Sequence, residues 1–148
     1  MRIYLDVCCL NRPFDDLSKE RVQFESDAIL AIISRCQVGK WNLVTSETIS
    51  YEVSEMRNND KLEKVNALVS VAAEKLLLSD TAIALSAKYQ KSGINAMDSY
   101  HLAIAEESKV DVFLTTDDKL LNATKKLNLT IEVENPITWF MEVIKNEK

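Results

Sequence analysis

Carboxylates are the side chains of this sequence best suited to do chemistry. Asp6 interrupts an apolar run near the N-terminus, where an ionised group must either face a crevice or find a partner, and we expect the crevice. Asp98, Asp117 and Asp118 stand at positions typical of helix starts, where capping and the helix dipole alone favour an acid. Only their combination with Asp6 makes them candidates for a shared site.

A glutamate is a further candidate. Glu52 lies one position off the apolar stripe of a predicted helix that begins after Ser46, and Glu47 lies at the start of the same helix. Taken alone, each is an ordinary solvated side chain. The spacing does not decide which of the two faces the crevice, and we favour Glu52.

A cluster of these carboxylates needs a cation. Two like charges about 4 Å apart repel by about 1 kcal/mol in water and by about 4 kcal/mol at an effective dielectric constant of about 20. Oxygen ligands select a hard ion, so a cluster of Asp6, Glu52, Asp98 and Asp117 predicts Mg²⁺ or Mn²⁺ rather than zinc. Such an ion activates water and stabilises a leaving oxygen, which is the chemistry of phosphodiester hydrolysis.

Other reactive side chains are few. His101 is the single histidine, which excludes a multi-histidine metal site. Cys8, Cys9 and Cys36 form no Cys-x-x-Cys pair, which disfavours a thiolate zinc site and a disulfide framework. We expect these cysteines to be reduced and structural.

The elements that must position the carboxylates alternate between strand and helix. Residues 11–16 are predicted to form a polar loop. Between the strands, apolar residues recur at helical spacing, with helix starts predicted at Ser46, at Ser79 or Asp80, at Asn95 and at Pro136. Short apolar runs predict strands at residues 2–7, 41–45, 75–78, 110–114 and 131–133.

Strands separated by helices favour right-handed crossovers and a parallel sheet. We therefore predict a single α/β domain over residues 1–148, a three-layer α/β/α sandwich with a central parallel sheet of about five strands. Ligands of open sheets gather beyond the carboxyl ends of the strands, and several of the acidic residues lie at those positions.

Composition limits the classes of function. The 148 residues carry a net charge of −5, which excludes the global positive field of non-specific nucleic-acid binders. Two glycines and two prolines disfavour collagen-like, disordered and glycine-turned all-β chains. No apolar run approaches the roughly 18 residues of a membrane helix, and the early Asp6 is incompatible with a secretory signal. We expect a cytoplasmic protein with no membrane partner.

Four blocks of the sequence resemble the signature blocks of PIN domains and occur in that family's order. They read IYLD at residues 3–6, LVTS at residues 43–46 with Glu52 six residues later, AMDSYHLA at residues 96–103, and LTTD at residues 114–117. This resemblance implies a small metal-dependent endoribonuclease with the PIN-like fold. Most often such a chain is the VapC-like toxin of a toxin-antitoxin pair.

The resemblance also implies roles for particular residues. Asp6, Glu52, Asp98 and Asp117 become ligands of Mg²⁺ or Mn²⁺, and Asp118 an auxiliary acid. RNA is the expected substrate, and a small antitoxin the expected partner. The resemblance places a histidine at position 101 without a metal role, so His101 is expected to be structural.

The sequence departs from the family pattern in two places. Many members have a small hydroxyl residue two positions after the first aspartate, where this chain has Cys8, and residues 11–16 are unusually polar. A thiol is a poor replacement for a hydroxyl that orients a carboxylate, which predicts a reduced or altered activity.

Two surface features have less specific meanings. Arg57 and Lys119 follow candidate acids and are predicted to contact the RNA backbone, although charged helix faces are usually just solvated. The apolar residues 139–144 either cover the edge of the sheet or form a homodimer contact, and periodicity does not choose between them.

Two other functions compete. A phosphoacceptor signalling domain is also a small parallel α/β unit, but it needs a lysine ending a late strand, and residues 131–133 contain none. A catalytically weak or inactive PIN-fold scaffold would instead use its acids to bind RNA or the arginine of a protein partner.

Overall fold

The chain folds around a five-stranded parallel sheet with strand order β3-β2-β1-β4-β5. The computed structural model describes residues 1–147. The strands are β1 (Arg2–Leu5), β2 (Asn42–Ser46), β3 (Glu74–Leu76), β4 (Val112–Leu114) and β5 (Glu132–Glu134). The helices are α1 (Val7–Asn11), α2 (Glu20–Gln37), α3 (Glu47–Ser54), α4 (Asn59–Val69), α5 (Asp80–Lys91), α6 (Ala96–Ser108), α7 (Asp118–Thr124) and α8 (Pro136–Lys145), with a 3₁₀ turn at Arg12–Phe14.

The central strand explains why the sheet is stable. In β1, Ile3 lies opposite Leu43 on one side and Val112 on the other, and all three side chains are buried. Tyr4 stacks on Phe113 with ring centroids 5.2 Å apart. Because all strands are parallel, their carboxyl ends meet at one edge of the sheet, directly beyond Leu5, Ser46 and Leu114.

Helices complete the layers, and the predicted three-layer α/β/α class with a PIN-like sheet is confirmed. α5 packs along α6, and α2 packs along α8. Residues 139–144 fall in α8, where Trp139 is buried against Trp41 with ring centroids 5.3 Å apart. In the same helix, Met141 is 57% exposed, so this segment covers the core on one side only.

The first strand ends earlier than predicted. It stops at Leu5 rather than at residue 7, because the Asp6 side chain accepts a hydrogen bond from the Val7 N–H and starts α1. The prediction of a polar loop at residues 11–16 is therefore wrong: α1 runs to Asn11, and the 3₁₀ turn Arg12–Phe14 follows with Pro13 in its first turn. Cys8 and Cys9 consequently lie on a helix.

Most other boundaries differ from the prediction by one or two residues. Ser46 and Asn95 cap α3 and α6 as predicted, and Ser79 rather than Asp80 caps α5. β4 begins at Val112, two residues later than predicted, because α6 ends in a left-handed turn at Lys109 with a φ of 55°. Within residues 1–147, every helix is too short or too polar to span a bilayer.

Candidate metal centre

The candidate carboxylates project from four different elements around the carboxyl edge of the sheet. Asp6 follows β1, and Glu52 lies in α3, which follows β2. Asp98 lies in the first turn of α6, and Asp117 caps α7 directly beyond β4. Asp98 and Asp117 line one cavity of about 110 Å³.

Asp6 is the most deeply buried of the four, with only 6% of its surface exposed. Its Oδ1 accepts the Val7 N–H at 2.8 Å, and its Oδ2 accepts the Thr115 hydroxyl at 2.9 Å and the Cys8 thiol at 3.4 Å. Burial raises the pKa of the Asp6 carboxyl, while His101 and the Thr115 hydrogen bond oppose the rise. Asp6 is thus buried beside Glu52 and His101 and also has hydrogen-bond donors.

Glu52, rather than Glu47, is the glutamate beside Asp6. Its Oε1 lies 2.7 Å from Nε2 of His101, and one ligand atom from each of Asp6, Glu52 and His101 falls within 4.8 Å of the others. Glu47 instead lines a separate, mainly apolar cavity of about 370 Å³ next to Tyr51.

His101 is completely buried and uses both ring nitrogens. Nδ1 lies 2.6 Å from the Tyr4 hydroxyl, and Nε2 faces Glu52. His101 was expected to be structural. It also directly contacts Glu52, a candidate metal ligand.

Asp98 is half-buried, and the charges of other acids affect its carboxyl group. Burial raises the pKa of its carboxyl to about 6, and the charges of Asp6 and Asp117 add to the rise. Asn95 holds the side chain in place, because its Nδ2 donates to Asp98 Oδ2 at 2.8 Å while its Oδ1 accepts the Asp98 N–H at 2.8 Å. Asp98 therefore lies within electrostatic range of two further carboxylates.

Asp117 is exposed and holds the start of α7. Its Oδ1 accepts the N–H groups of Lys119 at 3.0 Å and Leu120 at 3.2 Å. Its own N–H donates to the Thr115 hydroxyl at 3.2 Å, so one threonine side chain connects Asp117 and Asp6.

Asp118 has a different environment. Both of its oxygens are held by the Arg21 guanidinium at 2.7 Å, and this interaction lowers the pKa of the exposed carboxyl. The Arg21 guanidinium also lies 3.2 Å from Glu25, which is fully buried. Asp118 therefore connects α7 to α2.

The two predicted RNA-contacting cations differ in position. Lys119 lines the same cavity as Asp98 and Asp117. Arg57 is exposed in the short connection between α3 and α4. Among residues 1–147, neither is found in an ion pair, whereas Lys61 and Lys64 pair with Asp15 and Asp60.

Sequence reasoning missed the residues that orient the acids. Thr115 bonds to Asp6, and Tyr4 and Ser46 form hydrogen bonds behind His101. The Cys8 thiol contacts Asp6 Oδ2 at 3.4 Å. The Thr115 hydroxyl makes a shorter hydrogen bond to the same oxygen, at 2.9 Å, and so takes the orienting role expected of a hydroxyl residue at position 8. The position of Thr115 at the end of β4 was the one available signal.

A hard divalent ion fits this arrangement. Within the described residues, the four carboxylates form no ion pair with lysine or arginine, and their one recorded ion-pair contact is that of Glu52 with His101. The donor set consists of carboxylate oxygens, because both nitrogens of His101 have protein partners. Oxygen donors suit Mg²⁺ or Mn²⁺, and a cation would offset the repulsion by Asp6 and Asp117, which adds to the effect of burial on the pKa of Asp98.

Comparison with known proteins finds solved structures of similar fold but no match by sequence. No family model and no curated protein matches the chain. A chain of VapBC2 from Rickettsia felis, solved bound to a DNA fragment from their promoter, superposes with a TM-score of 0.62 over 91% of this chain and 98% of its own, at 15% identity. A chain of VapBC-1 from nontypeable Haemophilus influenzae gives 0.55 over 92% and 98%, also at 15% identity. These likenesses confirm the resemblance to VapC-like PIN domains at the level of the fold.

Proposed function

We propose that this chain is an endoribonuclease that depends on Mg²⁺ or Mn²⁺ and hydrolyses RNA phosphodiester bonds. The observation that carries the proposal is geometric: one carboxylate oxygen each of Asp6 and Glu52 lies within 4.8 Å of the other and of His101, and Asp98 and Asp117 line one cavity. Burial raises the pKa of Asp98 to about 6, and the charges of Asp6 and Asp117 add to the rise, which supports their proximity. Capping explains Asp6 and Asp117 singly, but like charges brought close together destabilise a fold.

Asp6, Glu52, Asp98 and Asp117 would hold the ion. Bound there, a divalent cation supplies an activated water and offsets the charge of the phosphate. Thr115 and Asn95 fix the Asp6 and Asp98 carboxylates through their hydrogen bonds, which keeps the ligand oxygens in place before binding. The exposed Asp117 closes the site towards the solvent.

Lys119 and Arg57 are the side chains proposed to bind the RNA backbone. With a net charge of −5, the chain as a whole repels a polyanion, so attraction must be local. Lys119 lines the cavity of Asp98 and Asp117, which supports a contact of its ammonium group with a phosphate bound at the site.

We further propose that the chain is the toxin of a toxin-antitoxin pair and acts in the cytoplasm. The structural neighbours from Rickettsia felis and Haemophilus influenzae are both VapBC structures, which supports a protein partner. The chemistry of the site favours an antitoxin that places an arginine across the carboxylates, because a guanidinium binds carboxylates through paired hydrogen bonds. A homodimer through α8, where Met141 is exposed, is proposed as a separate contact.

The test is metal-dependent cleavage of a single-stranded RNA by the purified chain. We expect cleavage with Mg²⁺ or Mn²⁺ and none with excess chelator. Asp98→Asn and Asp117→Asn should each lower the rate by about 100-fold or more, since a lost ligand removes several kcal/mol of transition-state stabilisation. Asp80→Asn is the matched control, because Asp80 is likewise an acid at the start of a helix but is exposed and belongs to α5.

The outcome separates the proposal from the scaffold alternative. Cleavage that survives both substitutions at the wild-type rate would come from a contaminant and would contradict the proposal. No cleavage together with no stabilisation by Mn²⁺ would favour a scaffold, because an ion at a hundredfold excess over its Kd should stabilise the fold by about 2.7 kcal/mol.

A further inference from the structure

Behind the candidate metal centre, four side chains form a continuous chain of hydrogen bonds. Ser46 Oγ lies 2.7 Å from the Tyr4 hydroxyl, which lies 2.6 Å from Nδ1 of His101. Nε2 of His101 lies 2.7 Å from Oε1 of Glu52. Ser46, Tyr4 and His101 are fully buried, and Glu52 is half-buried at the open end. We call these four residues the hydroxyl relay.

One arrangement of protons satisfies every contact of the relay. Nε2 of His101 donates to the Glu52 carboxylate, Nδ1 accepts, and the Tyr4 O–H donates to Nδ1. Ser46 already accepts the Ile49 N–H at 3.1 Å, and its own O–H donates to Tyr4.

We infer that Tyr4 and Ser46 are positioning residues that hold His101 as an Nε2–H donor to Glu52, which leaves the Glu52 Oε2 atom free to bind the divalent ion. His101 then orients a ligand and is not a ligand itself. This inference rests on the proposed metal site, and it gives Tyr4, Ser46 and His101 roles that neither the sequence motifs nor the likeness to VapBC structures assign.

Packing alone does not account for the Tyr4 hydroxyl. The ring of Tyr4 stacks on Phe113, and a phenylalanine at position 4 would keep that contact. The hydroxyl is completely buried, which costs free energy unless it is hydrogen-bonded, and its partners are Ser46 and His101. Each buried polar side chain of the relay therefore has the next one as its hydrogen-bond partner, and the last partner is Glu52.

The single histidine makes the relay directly measurable. With ¹⁵N-labelled histidine, NMR of the metal-free protein observes the ring of His101 alone. We expect an Nε2–H ring with an unprotonated, hydrogen-bonded Nδ1. In Tyr4→Phe, Nδ1 loses its donor, so we expect its signal to move and the second tautomer to become populated. A wild-type ring protonated at Nδ1, alone or together with Nε2, would overturn the inference.

Metal binding tests whether the relay acts on Glu52. Loss of a hydrogen-bond partner behind a ligand typically costs about 10- to 100-fold in affinity, so Tyr4→Phe should weaken Mn²⁺ binding about tenfold. Tyr89→Phe is the matched control, because Tyr89 is also a buried tyrosine but lies in α5, and it should change neither the tautomer nor the affinity. An unchanged Mn²⁺ affinity in Tyr4→Phe would overturn the positioning role.

A second pair of variants tests the relay independently, in case Tyr4→Phe does not fold. Ser46→Ala removes the relay donor together with the cap of α3. Ser79→Ala removes the comparable cap of α5 and a hydrogen bond to Glu107, neither of which involves the relay. We expect weaker Mn²⁺ binding in Ser46→Ala than in Ser79→Ala, and equal affinities would contradict the relay. A wild-type chain that binds no Mn²⁺ would instead contradict the proposed function, while the tautomer of His101 would still decide whether the relay exists.

Discussion

Replacing Asp98 by asparagine should stabilise the metal-free protein at neutral pH. The pKa of Asp98 is about 6 in the folded chain against an ordinary value of 3.8. At about 1.4 kcal/mol per pKa unit this difference corresponds to about 3 kcal/mol, but Asp98 is only half-buried and water screens its interactions, so about 1 kcal/mol remains. The asparagine side chain keeps nearly the same shape as the aspartate and carries no charge.

The direction of the pKa shift determines how the stability of the wild-type protein changes with pH. Because the folded state holds the Asp98 proton more tightly than the unfolded state, the folded state binds more protons between about pH 4 and pH 6, and stability falls as pH rises through this window. Below about pH 4 the carboxyl is protonated in both states and contributes nothing. The advantage of Asp98→Asn should therefore be absent near pH 4 and complete above about pH 6.5.

The assay is urea unfolding in chelator at pH 4 and pH 7.5, with Asp80→Asn as control. We expect Asp98→Asn to gain about 1 kcal/mol over wild type at pH 7.5 only, and the exposed control to stay within about 0.5 kcal/mol at both pH values. Excess Mn²⁺ should reverse the order, because wild type gains more from the ion. A variant less stable than wild type at pH 7.5 in chelator would refute the idea that burial and the neighbouring acids make the charge of Asp98 destabilising.

Two further substitutions test individual side chains. Thr115→Val removes the shorter of the two side-chain hydrogen bonds to Asp6 Oδ2 and the acceptor of the Asp117 N–H. It should weaken Mn²⁺ binding about tenfold, as measured by calorimetry, whereas Thr124→Val, also buried but in α7 away from Asp6, should not. Lys119→Ala should weaken RNA binding and lower the slope of log affinity against log salt by about 1, while Mn²⁺ affinity stays unchanged. The exposed Lys125 provides the matched control, and an equal loss in Lys125→Ala would mean that the charge of Lys119 acts only non-specifically.

The acidic residues of the site are relevant both to the proposed catalysis and to its proposed inhibition by a partner protein. The same unpaired carboxylates that need a divalent ion would attract a guanidinium from a partner protein. Metal and partner would then compete for one set of oxygens, among them those of Asp6 and Asp98. This competition explains why a destabilising cluster would be kept in a small protein.

The local signals of the sequence were sufficient for the elements and most of their starts. Apolar periodicity depends on neighbours within one or two turns, and caps such as Ser46 and Asn95 bond to residues three positions away. The same locality explains the error at residues 11–16. The capping role of Asp6 was hidden because the same carboxylate was interpreted only as a site residue, so α1 was missed.

Residue types and their order along the chain were enough to propose carboxylate chemistry, a hard metal ion and the α/β class, because these depend on composition and on short-range spacing. Orientation across the molecule required the folded chain. Glu47 and Glu52 point about 140° apart around their helix, and only packing against α6 decides which one meets His101. The contacts of Thr115 with Asp6 and of Tyr4 with His101 join residues 109 and 97 positions apart, and no local pattern encodes a hydrogen bond over such a distance.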